Sequence, residues 1–552
     1  MKQIEIIKTY SQKRCLVVDD VPDIRTSLKR ILIDFGANDV DTAGNAEEAI
    51  DICHRHQYDL VLADYNLGAG KNGQQLLEEL RFHKLLKNTA LYVMVTAESG
   101  SQYVLHALEY QPDDYLAKPV SRDGLRPRLD AALLKNEALL NAKRALDKQN
   151  PLLAIKACTQ VITSKSRYSN DARKMLGELL ISQRRFQQAL EVYQYFPAGR
   201  QPIWCRLGIA RAHTGLLDYA TAEQHLQALI DENARCVEAH DLLAELYEQQ
   251  NRYQQAQQVL TDAVAISPRS TERQREMGRI SLRVGDDLAA VHAYRYAVKH
   301  SRNSCRELPE DYLYLAQSLT NVTRAQPETQ DKFSSEALET LKAVEKKYGT
   351  QPVVAMRGRL VESEIYRSQN QPERADSTTS EALDILHKMK FSAIQNTPVE
   401  LCIDCARAFM AQGQYDAGEM LLQELARINK DPAIAVRIDK LLREPVTQEG
   451  IQYATKLNKQ GILHYQAQDY VGAVIAFRDV LRELPNHIGL NLNLIQAIVS
   501  KSRGGDLSDE DAAVITSSFQ RIGSIDVNSS YYDRYDYLKR HYQKLSQADG
   551  ES

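Results

Sequence analysis

Five polar residues in the first 120 positions stand directly after short apolar runs. They are Asp19, Asp20, Asp64, Thr96 and Lys118. Taken alone, Asp64 in the stretch YDLVLADYNLGAG is more often a turn former or a helix cap than a site. Carboxylates brought close together, however, repel one another and raise each other's pKa unless a cation is present. Three aspartates and one lysine leave a formal charge of −2, which one divalent cation would neutralise, and Mg²⁺ prefers such oxygen ligands.

The elements that must position these residues are five apolar runs separated by amphipathic segments. The runs are CLVV (15–18), DVDTA (39–43), LVLA (60–63), LYVMV (91–95) and DYLA (114–117). Alternation of this kind predicts a parallel sheet covered by helices on both faces. Ligands bind outside the carboxyl ends of the strands in such a sheet, and that edge is where the five polar residues would meet.

After residue 130 the strand pattern stops and a helical repeat begins. Ala222, Ala256 and Ala290 are spaced 34 residues apart, and an aromatic residue stands three positions before several of these small residues. A period of this length predicts helix pairs that stack on their neighbours. The small residue allows the two helix axes of a pair to approach closely.

This pattern resembles the tetratricopeptide repeat (TPR), and the resemblance covers residues 140–487. We expect six to nine repeats there, preceded by a helical linker at residues 131–150 and followed by a C-terminal helical cap at residues 488–552. The segment 125–150 has apolar residues three and four apart, so we expect one continuous helix, with Pro127 in its first turn.

The N-terminal segment, with its polar residues in this order, resembles the receiver domain of two-component response regulators. We place that domain at residues 14–130, after an N-terminal extension of residues 1–13. The resemblance implies that Asp64 is the phosphoryl acceptor. It also implies a Mg²⁺ cofactor, held by Asp19, Asp20, Asp64 and the backbone carbonyl of Asn66.

The same resemblance implies roles for residues at the ends of the last two strands. Thr96 and Lys118 would contact the phosphoryl oxygens, and the Lys118–Pro119 bond would be cis. Thr96 and Tyr115 would form the switch, with Tyr115 following Thr96 when Asp64 carries a phosphoryl group. The expected fold is therefore multidomain: an α/β doubly wound five-stranded parallel sheet, followed by an all-α helical-repeat solenoid.

Composition narrows the function classes. The 552 residues carry 69 Lys+Arg against 73 Asp+Glu, and this balance gives no overall attraction to nucleic acid or to an anionic membrane. We expect a cytoplasmic protein. No apolar stretch approaches the length of a membrane span, and the first residues lack the apolar core and the small-residue cleavage site of a secretory signal. Cys402 and Cys405 form a C-x-x-C without a second ligand pair nearby, which favours packing over zinc binding.

The two resemblances imply a response regulator that a histidine kinase or phosphotransfer protein phosphorylates on Asp64. Its output would be a TPR array that binds a protein partner not identified by the sequence, and we expect no enzyme activity. The alternatives are a transcriptional regulator, a regulator with a catalytic output and a TPR scaffold or adaptor that works independently of phosphorylation. A basic recognition helix, or a phosphate loop or catalytic pair after residue 130, would have favoured the first two.

Overall fold

The structure is a computed structural model, and the chain folds into two compact units, Met1–Asp311 and Tyr312–Ser552. It describes residues 10–97, 109–197, 199–326, 330–390, 392–429, 431–443, 448–485, 487–502, 507–523 and 532–548. Most of the N-terminal extension predicted for residues 1–13 lies outside the described residues.

The first unit begins with a five-stranded parallel sheet and the helices around it. The strands are β1 (Arg14–Val18), β2 (Asp39–Ala43), β3 (Leu60–Asp64), β4 (Leu91–Thr96) and β5 (Asp114–Ala117). The helices described beside them are α1 (Pro22–Asp34), α2 (Ala46–Arg55), α3 (Gly73–Phe82) and α4 (Arg122–Ala138). The strand order is β2-β1-β3-β4-β5, so the predicted doubly wound α/β sheet is confirmed.

Alternate residues of the central strands fill two cores, one on each face of the sheet. Leu16, Val18 and Val61 lie in one core, whereas Val17 and Leu62 lie in the other. Each of these side chains is fully buried. Apolar runs without a polar face are therefore explained by burial on both sides, as a parallel sheet requires.

The rest of the first unit consists of helices that pack in consecutive pairs. They are α5 (Leu140–Asp147), α6 (Pro151–Thr163), α7 (Ser169–Ser182), α8 (Phe186–Tyr193), α9 (Ile203–Gly215), α10 (Tyr219–Glu232), α11 (Val237–Gln249), α12 (Tyr253–Ile266), α13 (Thr271–Val284) and α14 (Asp287–Ser301). The small residues Ala222, Ala256 and Ala290 are completely buried where paired helices touch. Close approach of the helix axes accounts for their recurrence.

Among the residues that the structure describes, a glycine in the first helix of a pair faces an aromatic ring sixteen residues later in three places. A Cβ atom added to Gly177 would lie 2.4 Å from the ring of Tyr193, and one added to Gly278 would lie 2.7 Å from the ring of Tyr294. In the second unit, a Cβ atom on Gly461 would lie 2.4 Å from Phe477. The rings occupy the space of the missing side chains, so each pair is a close-packed contact.

The second unit is helical throughout the residues that the structure describes. Its helices are α15 (Pro309–Ala325), which starts at the end of the first unit, α16 (Gln330–Tyr348), α17 (Pro352–Ser368), α18 (Pro372–Lys388), α19 (Ser392–Gln395), α20 (Val399–Ala411), α21 (Tyr415–Ile428), α22 (Pro432–Arg443), α23 (Gln448–Gln466), α24 (Tyr470–Glu483), α25 (Ile488–Lys501), α26 (Asp509–Ile522) and α27 (Tyr532–Ala548). Cys402 and Cys405 are fully buried on α20, in agreement with a packing role.

The C-terminal helix α27 packs on the two helices before it. Leu538 is 2% exposed and shares a core with Ile495 and Ile515, while Tyr535 meets the edge of Phe519 with ring centroids 5.5 Å apart. These contacts join α27 to α25 and α26 within the cap predicted for residues 488–552, and the same core includes Phe477 of α24. Its effect on stability stays a prediction.

The expectation of one continuous helix over residues 125–150 is wrong. The helix breaks at Leu139, which ends α4 and begins α5, and the chain turns at Gln149, whose φ is +54°. Ser121 caps α4 as expected, but Pro127 lies inside the helix and not in its first turn. The route from the sheet domain to the repeats therefore consists of separate helices, and Pro151 starts the next helix after the turn at Gln149.

The domain built on the sheet also contacts the helical repeats directly, within the first unit. The carboxylate of Glu78 on α3 accepts a hydrogen bond from Nε of Arg306 at 3.0 Å, and the Glu78 side chain is only 7% exposed. Burial raises the pKa of Glu78 to about 7, since the loss of water outweighs the favourable field of Arg306 and the nearby Glu272 and Glu79 add to the rise.

A carboxyl group with a raised pKa in the folded state makes stability depend on pH in a defined direction. The contribution of Glu78 to the free energy of unfolding is fully present below the ordinary pKa of 4.5, and it is lost as the pH rises through about 7. At about 1.4 kcal/mol per pH unit, the free energy of unfolding should fall by roughly 3 kcal/mol from this group between pH 4 and 8. We expect Glu78→Gln to remove that part of the slope in chemical denaturation at several pH values. Exposed Glu137→Gln is the control, and identical slopes for wild type and Glu78→Gln would contradict the assignment.

Candidate functional site

The carboxyl edge of the sheet brings the predicted polar residues together. Asp64 ends β3, Thr96 ends β4, Asp19 directly follows β1 and Lys118 directly follows β5. Asp19 and Thr96 are fully buried and Asp64 is 6% exposed. Because β1, β3 and β4 are neighbours in register, their last side chains reach the same point of the edge.

Lys118 is the centre of the cluster. Its Nζ lies 2.6 Å from Oδ2 of Asp19 and 2.6 Å from Oδ2 of Asp64, so one ammonium group donates to two carboxylates. Its backbone N–H donates to the carbonyl of Thr96 at 2.7 Å, and the Lys118–Pro119 bond is cis as predicted. These contacts fix where the lysine side chain leaves the backbone and aim it into the cluster.

Asp19, Asp20 and Asp64 form a candidate metal-binding group. Each offers a carboxylate oxygen, and the three oxygens lie within 4.8 Å of one another. The backbone N–H of Val21 donates to Oδ1 of Asp19 at 3.0 Å, which orients that carboxylate. Hard oxygen donors at this spacing fit Mg²⁺, and the exposed Asp20 leaves one side of the group open to solvent.

The pKa values at the site follow from burial and from the lysine. Burial raises the pKa of Asp64, and Asp19 adds to the rise, although Lys118 and the N–H of Asn66 work against it. Burial would lower the pKa of Lys118, but its hydrogen bonds to Asp19 and Asp64 outweigh burial and the net pKa is raised. A cation added beside Asp64 would therefore favour its ionised form.

The structure places the remaining predicted residues around this cluster. The N–H of Asn66 donates to Oδ1 of Asp64 at 3.4 Å, so the loop that carries the Asn66 carbonyl stays next to the Asp64 side chain. Tyr115 lies on β5 opposite Met94, half-buried, and its ring packs on the sheet core. Thr96 and Tyr115 thus occupy neighbouring strands, two positions apart in register. Their roles as a switch, like the other roles expected for the site residues, stay predictions.

Gly73, which the sequence analysis did not single out, packs the start of α3 against the backbone of Asp64. A Cβ atom at this position would lie 1.9 Å from the carbonyl oxygen of Asp64, closer than any side chain can approach. The Gly73 N–H donates to the carbonyl of Tyr65 at 2.8 Å, and the hydroxyl of Tyr92 donates to the Gly73 carbonyl at 2.5 Å. The sequence signal that could have identified Gly73 is its position directly after Asn72, because asparagine is a common residue at helix N-caps.

Comparison with known proteins assigns both parts of the chain. The response regulator receiver domain family matches residues 15–130, and a tetratricopeptide repeat family matches residues 215–280. The chemotaxis protein CheY homolog of Campylobacter jejuni is 30% identical over 121 residues, which are 22% of this chain and 92% of that protein. The chemotaxis protein CheY-3 of Vibrio cholerae is 29% identical over 117 residues, 21% of this chain and 88% of that protein.

Two solved structures are among those similar to this chain. A CheY-like response regulator receiver domain protein from Methanospirillum hungatei is 31% identical, covers 23% of this chain and 96% of its own, and has a TM-score of 0.21. Response regulator protein TrrA from Thermotoga maritima, in complex with magnesium and BeF, is 35% identical, covers 22% of this chain and 99% of its own, and has a TM-score of 0.20.

The described residues contain no helix that is both long enough and apolar enough to cross a membrane. They contain the parallel sheet, the acidic group with its lysine and the paired helices that the two families predict. On the match over most of the CheY homolog, the chain belongs to the response regulator receiver family through its N-terminal domain, and it carries a region of tetratricopeptide repeats in its helical part.

Proposed function

We propose that a histidine kinase or a phosphotransfer protein phosphorylates this chain on Asp64, and that the helical repeats bind a protein partner as the output. The observation that carries the proposal is the position of Lys118 Nζ, 2.6 Å from both Asp19 and Asp64, beside a group of three carboxylates. A site with one ammonium group among three carboxylates is suited to bind a metal ion together with a further anionic group.

In the proposed reaction, a carboxylate oxygen of Asp64 attacks the phosphorus of a phosphohistidine. A P–O bond forms on Asp64, the P–N bond breaks and the electron pair leaves with the imidazole of the donor. Lys118 neutralises charge on the transferred group, and the Thr96 hydroxyl donates a hydrogen bond to one of its oxygens. Mg²⁺, held by Asp19, Asp20, Asp64 and the Asn66 carbonyl, would neutralise negative charge on the phosphoryl oxygens.

The proposed output, binding of a protein partner, is supported by the helical region. Stacked helix pairs present an extended surface on which other proteins bind, so phosphorylation would control an interaction and not a catalytic step of the repeats. The matched part of the transcriptional regulatory protein AlgB of Pseudomonas syringae is only 25% of that protein, so its name supports no DNA-binding role here. Wild type and an Asp64 variant that capture a partner equally well would favour a scaffold independent of phosphorylation.

Labelling with a small phosphodonor tests the acceptor directly. We expect wild type to gain one phosphoryl group in mass spectrometry after incubation with phosphoramidate and Mg²⁺, and Asp64→Asn to gain none. Asp51→Asn, a matched change on the exposed face of α2, should be labelled like wild type. Undiminished labelling of Asp64→Asn would refute the acceptor, and equal labelling of wild type in excess chelator would refute the metal requirement.

A further inference from the structure

The contact between the receiver domain and the repeats, named the receiver–array interface, is built from charged and polar groups. Its receiver side lies on α3 and at residues 109–110, and its repeat side lies on α13, on the last turn of α14 and on the loop after α14. The residues that form it are Gln75, Glu78, Glu79, Glu109 and Tyr110 from the receiver domain, and Glu272, Arg273, His300, Cys305 and Arg306 from the repeats.

Arg306 joins both sides of this interface. Its Nε donates to Glu78 at 3.0 Å, and its Nη1 lies 2.8 Å from a carboxylate oxygen of Glu272. The hydroxyl of Tyr110 donates to the other oxygen of Glu272 at 3.0 Å. Removing the guanidinium would leave two acidic groups facing each other without a cation, which disfavours docking.

Two further contacts hold the neighbouring surfaces. The backbone N–H of Cys305 donates to Oε1 of Glu79 at 2.7 Å, and Nη2 of Arg273 donates to Glu109 at 2.9 Å. Glu79 and Arg273 are 6% and 5% exposed. The partners are more than 160 residues apart in the chain, so these contacts are tertiary and depend on docking.

The interface encloses space and is not packed as a continuous apolar core. A cavity of about 1000 Å³ lies between Leu77 and Phe82 of the receiver domain and Leu242 and Leu260 of the repeats. Polar interfaces of this kind within one chain allow the domains to move relative to each other. The docked and released arrangements can therefore lie close enough in free energy for a local change to shift the equilibrium between them.

A short path leads from this interface to the acceptor residue. Gly73, at the first turn of α3, packs on the backbone of Asp64, and Gln75 in the same turn donates from its side chain to the carbonyl of His300 at 3.2 Å. Glu78 and Glu79 lie one turn further along. A displacement of the Asp64 backbone would therefore move α3, with its interface residues, as a rigid body.

We propose that the receiver–array interface is coupled to the acceptor site, so that a change of state at Asp64 shifts the equilibrium between a docked and a released receiver domain. This coupling, which rests on the proposed phosphorylation of Asp64, passes through α3 and not through the interrupted helices α4 and α5. The binding partner of the α3 surface is then the repeat region of the same chain. Because coupling between two sites is reciprocal, weakening the interface must change the affinity of the acceptor site.

The test uses the full chain with Mg²⁺ and beryllium fluoride as the probe. Arg306→Ala removes the central cation, and Arg302→Ala is the control, with the same charge change on an exposed residue of the same loop. We expect the apparent affinity for the probe to change at least about fivefold in Arg306→Ala and less than twofold in Arg302→Ala. Hydrogen exchange of the Cys305 N–H should be faster in Arg306→Ala, and in wild type it should change when the probe is added.

Two results would overturn the coupling. Equal probe affinity in wild type and Arg306→Ala, with faster exchange at Cys305 in the variant, shows that the interface opens without affecting the acceptor site. Failure of wild type to bind the probe overturns the proposed function together with the coupling. Labelling of wild-type Asp64 by phosphoramidate distinguishes the two, since it tests phosphorylation of the acceptor without a comparison between interface variants.

Discussion

Gly73→Ala should lower the free energy of unfolding of the receiver domain by about 3 kcal/mol or more. The new Cβ atom would stand 1.9 Å from the carbonyl oxygen of Asp64 and 2.9 Å from its carbonyl carbon. Both are backbone atoms at the end of a fully buried strand, so neither can move away by rotating a side chain. Relief requires the start of α3 or the end of β3 to shift, and labelling of Asp64 by phosphoramidate should fall with stability.

Gly124→Ala is the matched control, because Gly124 also lies in the first turn of a helix. The nearest atom to an added Cβ there is the hydroxyl oxygen of Ser121 at 3.2 Å, at the end of a small side chain. Alanine has the higher helix propensity, so this variant should be as stable as wild type or gain up to about 1 kcal/mol. Equal thermal melting of the Gly73 and Gly124 variants would show that β3 and α3 separate easily.

Arg273→Ala should destabilise the first unit by up to about 3 kcal/mol, because Glu109, 16% exposed, would lose its cation, whereas Asp241, 39% exposed, can be hydrated again. The Arg273 side chain is 3% exposed and donates to both carboxylate oxygens of Asp241 at 2.8 Å, as well as to Glu109. It also donates to the carbonyl of Ser267 at 2.8 Å. Alanine would leave two carboxylates and a carbonyl without their donor.

Arg283→Ala, on the exposed face of the same helix, is the control for this change. It removes an identical charge from α13 without uncovering a buried acid, so its effect should stay within about 0.5 kcal/mol. Urea denaturation followed by circular dichroism measures both variants. If Arg273→Ala unfolds at the same urea concentration as Arg283→Ala, the buried ion pairs contribute nothing to stability.

The sheet and the acidic edge could be predicted because their signals are local. Buried parallel strands require uninterrupted apolar runs, and the side chain that follows each run must emerge at the carboxyl edge. Asp19, Asp64 and Lys118 therefore came together as their positions in sequence implied. The cis bond before Pro119 followed from the resemblance.

The remaining features depend on tertiary packing that no local pattern encodes. Apolar spacing over residues 125–150 continues through Leu139, yet the helix breaks there, so periodicity alone did not reveal the end of α4. Glu78 and Arg306 are 228 positions apart, and charged residues on helices are usually solvated. Their pairing became visible only when α3 and the loop after α14 were placed side by side.

The contacts between glycine and an aromatic ring in the helix pairs have a consequence for how such sequences can diverge. The residues of the pairs Gly177–Tyr193 and Gly278–Tyr294 are sixteen positions apart. Two other helix pairs have Ala210 and Leu226, or Ala244 and Leu260, at the same spacing. The two residues of a pair share one fixed volume, so a larger residue at the first position requires a smaller one at the second. Related chains should therefore exchange these residues in concert, and a single exchange should persist only beside a compensating one.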